Sequence, residues 1–229
     1  MKELCILTWN TQLYEQGNII KGHIKEIDMC NFVSITEFIK EHLKKDNSIA
    51  FLQEIPYCCN ITWKEHPLYT KFRYLFSQYE YDIKFNITSS KQIMMSVVIS
   101  NPNTLILDPS SWNDNRTISV QYEEMKMMGI HAKNGKYNKN YLIELSNHTA
   151  HVILGDFNSG NYYKSENRLV FNNLFKQHTC ICNENTTIYG TPIDHIFVDN
   201  NILPKCTKPI IHSKIKYSDH FPITFKISV

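Results

Sequence analysis

The residues able to do chemistry in this chain fall at the ends of its apolar segments. Asn10 follows LCILTW, Gln53-Glu54 follows IAFL, His131 closes the segment 124–130, and Gly155-Asp156-Phe157-Asn158 follows HVIL. Asp194-His195 opens the segment that runs on as IFV, and Ser218-Asp219-His220 precedes the last apolar segment, with Pro222 at its start. Strands that end at one rim of a sheet deliver such groups to one place. A collection of carboxylates, imidazoles and carboxamides is costly to bury unless charges pair or a cation neutralises them. Hard oxygen ligands with little sulfur favour Mg²⁺ or Mn²⁺ over zinc, and Mg²⁺ typically uses one or two carboxylates plus water and substrate phosphate. The chemistry expected of such a site is attack of water on a phosphate ester, with the metal stabilising the developing negative charge. Each residue alone has an ordinary reading: Asn10 as a turn residue, Gln53-Glu54 as a solvated strand end, the Asp-His pairs as surface polar groups, Gly-Asp-Phe-Asn as a turn. The inference rests on the ordered set.

These groups need strands behind them. Residues 4–9 read as a buried strand, and others are expected at 49–53, 72–77, 94–100, 104–107, 116–121, 124–131, 151–155, 193–198, 207–212 and 222–228. The continuous apolar run at 151–155 marks a strand buried on both faces. A helix is expected over 34–45. Ser34 and Glu37 form a capping box, Val33 and Phe38 its hydrophobic staple. Ile35, Phe38, Ile39 and Leu43 then share one face, and Lys44 and Lys45 suit the C-terminal end of the dipole. Residues 138–147 read as a short helix. Another, started by Ser165, is expected over 165–177 with Val170, Phe171, Leu174 and Phe175 facing inward. Many strands with few helices predict two packed sheets with helices outside.

Bulk composition sets the limits. The 229 residues fit one domain of generous size, taken as 1–229, and 42% hydrophobic residues are enough for a large core, which excludes global disorder. With 24 basic against 22 acidic residues the chain is neither a polycation nor an acidic tail, and a local basic groove remains open to it. No apolar run approaches the roughly 18 residues of a membrane-spanning helix. The seven cysteines are odd in number and form no Cys-x-x-Cys, which argues against a disulfide framework or a sulfur-rich zinc site. MKELCILTWN turns polar too early for a secretory leader. A reduced, cytoplasmic protein, by default a monomer, is the expectation.

The order LTWN, FLQE, GIHA, ILGDFN, PIDHIFV, YSDHFPI resembles that of the endonuclease/exonuclease/phosphatase superfamily, whose fold is deoxyribonuclease I-like, over residues 4 to 225. The resemblance implies an α/β fold: a four-layer sandwich of two mixed, mostly antiparallel sheets packed face to face, with outer helices. It also implies roles. Glu54 matches the family's metal-binding glutamate, Asn10 the first-motif asparagine beside it, and Asp219 the aspartate near the metal, with Mg²⁺ or Mn²⁺ as cofactor. Asp156 and Asn158 match the pair that orients the attacking water and the scissile phosphate. His220 matches the final histidine and Asp194 the carboxylate that orients it; a carboxylate there sets the imidazole tautomer and stabilises its protonated form. His131 matches a second histidine that faces the phosphate in some branches, and Arg116 resembles an arginine near the phosphates there.

The IHA segment is similar to that of deoxyribonuclease I and of the nuclease subunit of the cytolethal distending toxins. GIHAKNG lacks the Tyr and the Pro-Asn-Gly-like stretch of abasic-site endonucleases of the exonuclease III type. Ser159-Gly160 stands where inositol polyphosphate phosphatases carry an Arg. Gln92 is the residue nearest to a deoxyribonuclease I glutamate that precedes the strand at 94–100, so the partner carboxylate of His131 is left open.

Charge distribution points to a polyanionic partner. No acidic residue lies between Glu124 and Glu144, where Lys126, Lys133, Lys136 and Lys139 occur, nor between Asp199 and Asp219, where Lys205, Lys208, Lys214 and Lys216 occur. Solvated loops are the plain reading; two basic banks gripping phosphates, with Lys133, Lys136, Lys214 and Lys216 as contacts, are the functional one. Tyr162 and Tyr163 follow GDFN, where they pack or stack on a nucleotide. The leading expectation is a divalent-metal-dependent phosphodiester hydrolase, a nuclease whose partner is DNA. The alternative is a phosphatase or phosphodiesterase acting on a small-molecule, lipid or inositol phosphate. A third reading, a non-catalytic binding module, is disfavoured because every core polar position is present.

Overall fold

A computed structural model describes residues 2–13, 26–59, 62–78, 81–101, 105–107, 114, 116–159, 171 and 176–229. Along them run the strands β1 (Glu3–Asn10), β2 (Ser48–Pro56), β3 (Asp82–Phe85), β4 (Met94–Asn101), β5 (Leu105–Leu107), β6 (Thr117–Tyr122), β7 (Met125–His131), β8 (Val152–Asp156), β9 (His178–Cys182), β10 (Asp194–Asp199), β11 (Ile210–Ile211) and β12 (Ile223–Ser228). The helices are α1 (Glu26–Leu43), α2 (Pro67–Ser77) and α3 (Asn138–Leu145). The strands form two six-stranded sheets, ordered β11-β12-β1-β2-β4-β3 and β5-β6-β7-β8-β10-β9. Each sheet has one parallel pair near its centre, β1 with β2 and β7 with β8, and the other pairs are antiparallel.

Alternation along the strands builds the layers, because successive side chains point to opposite faces of a sheet. Leu4, Ile6, Ile49, Phe51, Val98, Met127, Val152, Leu154, Ile196 and Phe225 meet between the sheets. The alternate residues face outward. Leu7, Trp9, Ala50, Leu52 and Val97 pack against Phe32, Ile35 and Ile39 of α1 and Leu68, Phe72 and Phe76 of α2. Met128, Ile130, Ile153 and Phe197 pack against Tyr141, Leu142 and Leu145 of α3. The result is the expected four-layer sandwich. No helix among the described residues is long and apolar enough to cross a membrane.

Three local readings are corrected. The first helix is already formed at Glu26, so Ser34 and Glu37 lie inside it rather than at a cap. Val33, read as a staple, is exposed, and Glu37 pairs with Lys40 along the helix. Residues 72–77, aromatic-rich and read as a strand, belong to α2. Leu68, Tyr69, Phe72 and Phe76 recur at helical spacing, Pro67 occupies the first turn, and His66 Nδ1 accepts the Leu68 N–H as an N-cap. The strands β3 and β9 are short and alternate weakly, and sequence reading missed both. The helix expected over 165–177 lies largely outside the described residues; its Phe171 is buried.

One glycine couples this framework to the polar strand ends. Gly155 has φ +129°, and a Cβ there would lie 2.2 Å from the carbonyl oxygen of Ile130 on the neighbouring parallel strand. Both the backbone angle and the close approach demand glycine. Gly155→Ala is expected to cost about 2–4 kcal/mol, combining strained φ with overpacking against backbone. Urea unfolding reads this as a lower midpoint at unchanged slope.

Candidate active site

The strand alternation that fills the core also sets out the site. On β1 the inward series Leu4, Ile6 continues to Asn10; on β2, Ile49 and Phe51 continue to Gln53; on β8, Val152 and Leu154 continue to Asp156. The same register brings His131 inward at the end of β7 and Asp194 inward at the start of β10. His195 therefore points to the outer face. Its Nδ1 lies 3.1 Å from the Cys182 carbonyl oxygen and its Nε2 3.0 Å from that of Ser159, among Phe157, Phe171 and Phe197.

Glu54 breaks the alternation. A register shift between Leu52 and Ile55 marks a β-bulge, and Glu54 sits in it with φ +57°. Bulges re-aim side chains, and this one turns Glu54 into the pocket. Asn158 has φ +48°. With Gln12 at φ +49°, three non-glycine residues in the left-handed region, each costing about 1–3 kcal/mol, thus stand at the same site.

The side chains converge on a pocket of about 240 Å³ lined by Glu54, Arg116, His131, Asp156, Asn158, Asp219 and His220, with Gln12, Met94, Asn134 and Ile193. Asn10 donates its amide N–H groups to Glu54 Oε1 (3.1 Å) and Asp156 Oδ2 (3.0 Å), while its own oxygen accepts the Gln12 N–H. His131 Nε2 lies 3.2 Å from Glu54 Oε1 and 3.8 Å from Asp156 Oδ2. The carboxylate that faces His131 is therefore Glu54. Gln92 instead spends its carboxamide on Thr88, Asn86 and Met94 within its own loop. His220 Nδ1 lies 2.9 Å from Asp194 Oδ2, and its Nε2 faces Asp219 at 3.7 Å and Asp156 at 3.9 Å. The Arg116 guanidinium is held by the carbonyl oxygens of His131 and Ala132.

Residues that sequence reading passed over hold these groups in place. Thr186 donates its hydroxyl to Asp194 Oδ2 at 2.6 Å. Trp9, read only as core, donates its indole N–H to the His220 carbonyl, and Ser218 ties its hydroxyl to the Asn10 carbonyl. Asn138 donates to the carbonyls of Lys133 and Phe157, clamping the His131 loop to the Asp156 loop. Thr186 precedes Asp194 by eight residues and Asn138 looks like a helix residue, so nothing in their spacing announced them. Lys133, Lys136, Lys214 and Lys216 are exposed on the two loops that flank the pocket. Tyr162 and Tyr163 lie outside the described residues.

Burial drives the protonation states. Asp156 is buried, and burial first, then the charge of Asp194, pushes its pKa up to about 6. Burial alone would pull His220 down, but Asp194, Asp156 and Asp219 outweigh it and carry the imidazole to about 10. Burial alone would raise Glu54, yet the His131 contact and the Asn10 amide hold it below its usual value.

Glu54, His131 and Asp156 each offer a ligand atom within 4.8 Å of one another, and so do Asp156, Asp194 and His220. Glu54 Oε2 is buried without a hydrogen-bond partner. An ionised oxygen left in that state is costly, and a hard divalent cation is the partner its chemistry fits. A divalent cation is therefore expected to raise the melting temperature, in proportion to about 2.7 kcal/mol at a hundredfold excess over Kd. Glu54→Gln should lose that shift. An equal shift in the variant, followed by differential scanning fluorimetry, would exclude Glu54 as a ligand.

Neither a family model nor a curated protein matches the chain at the sequence level. Solved structures match it along its length. The 3′-5′ exonuclease NExo from Neisseria meningitidis is 16% identical, with a TM-score of 0.68 over 99% of this chain and 100% of that one. An AP endonuclease from Archaeoglobus fulgidus is 15% identical, with a TM-score of 0.64 over 99% and 100%. D. rerio TDP2, complexed with single strand DNA product, is 14% identical, with a TM-score of 0.61 over 100% of both chains. At such identities the likeness is one of fold, and it agrees with the motif order: the chain has a deoxyribonuclease I-like fold.

Proposed function

We propose that this chain is a divalent-metal-dependent phosphodiester hydrolase, a nuclease acting on DNA in a reducing, cytoplasmic compartment. The observation that carries the reading is the convergence, on one small pocket, of an unpartnered Glu54 oxygen, the Asp194–His220 pair and Asp156. The fold neighbours described as an exonuclease, an AP endonuclease and a protein holding a DNA product support it, although fold alone never sets a substrate. Its seven free thiols suit the compartment.

In this reading Glu54 and Asp219 would hold Mg²⁺ or Mn²⁺, and Asn10 orients the carboxylates. The cation supplies neutralisation of the phosphate oxygens. Asp156, with its pKa lifted toward neutrality, takes the proton of the attacking water. Asp156 Oδ1 accepts the Asn158 backbone N–H at 2.7 Å, and Oδ2, which accepts the Asn10 amide, is the oxygen that faces the His131 and His220 rings. His220 is protonated at neutral pH and offers its Nε2 proton to the phosphate, while Asp194 holds the opposite edge of the ring. Arg116 and His131 flank the phosphate. Lys133, Lys136, Lys214 and Lys216 grip neighbouring phosphates, and Tyr162 and Tyr163 stack on the nucleotide.

His220→Ala is expected to lower turnover about 10²–10⁴-fold, the usual weight of a positioned proton donor. Thr186→Val should lose up to about a hundredfold by loosening Asp194, and Thr186→Ser should restore most of it. Near-parental turnover of His220→Ala on a phosphodiester would dismiss the Asp194–His220 pair. Exchange of Lys133, Lys136, Lys214 and Lys216 for Gln should weaken DNA binding and flatten its salt dependence, by about 0.9 in the logarithmic slope for each phosphate no longer neutralised. The effect should be far larger on DNA than on a nitrophenyl phosphodiester. A parental salt slope would make these lysines ordinary surface residues. A parent protein that cleaves only small esters would replace the nuclease reading with a phosphatase one.

A further inference from the structure

Nine large apolar side chains are exposed among the described residues: Val33, Trp63, Tyr74, Tyr137, Ile143, Ile188, Tyr189, Ile210 and Tyr217. Scattered singly, such residues need no explanation. Here five of the nine stand on loops at the pocket end of the sandwich. Trp63 (45% exposed) lies in the loop after β2, whose Cys58 thiol reaches the carbonyl of Ser90 in the loop before β4. Lys91 of that second loop lies 6.0 Å from the Trp63 ring, and Met94, just beyond, lines the pocket. Tyr137 (57% exposed) follows the pocket residue Asn134, with Lys136 Nζ 5.1 Å from its ring. Ile188 and Tyr189 (73% exposed) occupy a turn pinned to the pocket loop by the Ile188 N–H, which donates to the Asp219 carbonyl at 2.8 Å. Tyr217 follows Lys216 on the same bank.

Exposed aromatic rings on three separate loops around one pocket, two of them beside lysines, are the combination that holds an unpaired nucleic-acid strand. Lysines track its phosphates, and rings offer faces to its bases. A duplex keeps its bases stacked inside and presents mainly phosphates to such a rim. The surrounding charge is complementary, since residues 125–143 and 200–218 carry lysines and no acid. We infer that the rim of Trp63, Tyr137 and Tyr189 is a stacking platform that makes single-stranded DNA, or an unpaired stretch within a duplex, the preferred substrate. This rests on the nuclease reading above and adds the strand state to it.

The test is fluorescence anisotropy of the full chain in EDTA, with a labelled oligothymidylate and a labelled hairpin duplex. Alanine at Trp63, Tyr137 or Tyr189 should weaken single-strand binding about fivefold or more per ring, and duplex binding less. Phenylalanine at each position should keep single-strand affinity, because it keeps the π-face; this also separates stacking from misfolding. Parental single-strand affinity in the alanine variants, or equal losses on both probes, overturns the inference. A protein that hydrolyses no phosphodiester yet binds single strands through these rings overturns the nuclease reading and leaves the platform standing. One that cleaves DNA without any dependence on the rings does the reverse.

Discussion

Four carboxylates stand close together at the edge of an apolar core, and much of the structure answers to that constraint. Glu54, Asp156, Asp194 and Asp219 cannot all stay ionised there unaided. Asn10 places its amide between two of them, His131 leans on Glu54, and the His220 imidazolium lies among the other three. Each of those partners is itself held by a second contact, from Gln12, Arg116 and Trp9 respectively. The charge that remains, on an oxygen of Glu54 that nothing in the protein meets, is the part of the balance left for a cation.

Backbone geometry bears part of the same load. Glu54 and Asn158 both adopt left-handed angles, and Gly155 lies against a backbone carbonyl. These are unfavourable local conformations that persist because the surrounding sheets over-determine them. The central parallel pairs, β1 with β2 and β7 with β8, lend rigidity at the points where Asn10, Gln53, His131 and Asp156 emerge. Stability in the body of the sandwich thus underwrites precision at its rim.

The sheets and the polar strand ends were legible in the sequence because both follow from period-2 alternation, which a linear reading detects. Asn10, His131, Asp156 and Asp194, named from motif order, stand together in space for the same reason. The start of α1 was not legible: Ser34 and Glu37 imitate a cap, and only packing of Phe32 against the sheet shows that the helix is already under way. The region 72–77 misled because its aromatics favour strands intrinsically, while the spacing back to Leu68 favours a helix. Gln53 and Glu54 could not be told apart by pattern, since a bulge of one residue decides which of them enters the pocket. Thr186 and Asn138 act across folds of the chain, so their roles exist only in three dimensions.

The pairing of β1 with β12 carries a consequence for the order of events in the cell. Glu3 lies opposite Ser228 and Thr8 opposite Ile223, so the central strand of one sheet waits for a neighbour made more than two hundred residues later. Asp219 and His220 lie just ahead of that last strand. A chain that has not yet reached this segment therefore lacks both a closed sheet and the His220 imidazole, and contacts of such long range form slowly even after release. By this topology the pocket is complete only after Ile223–Ser228 has left the ribosome and paired with β1.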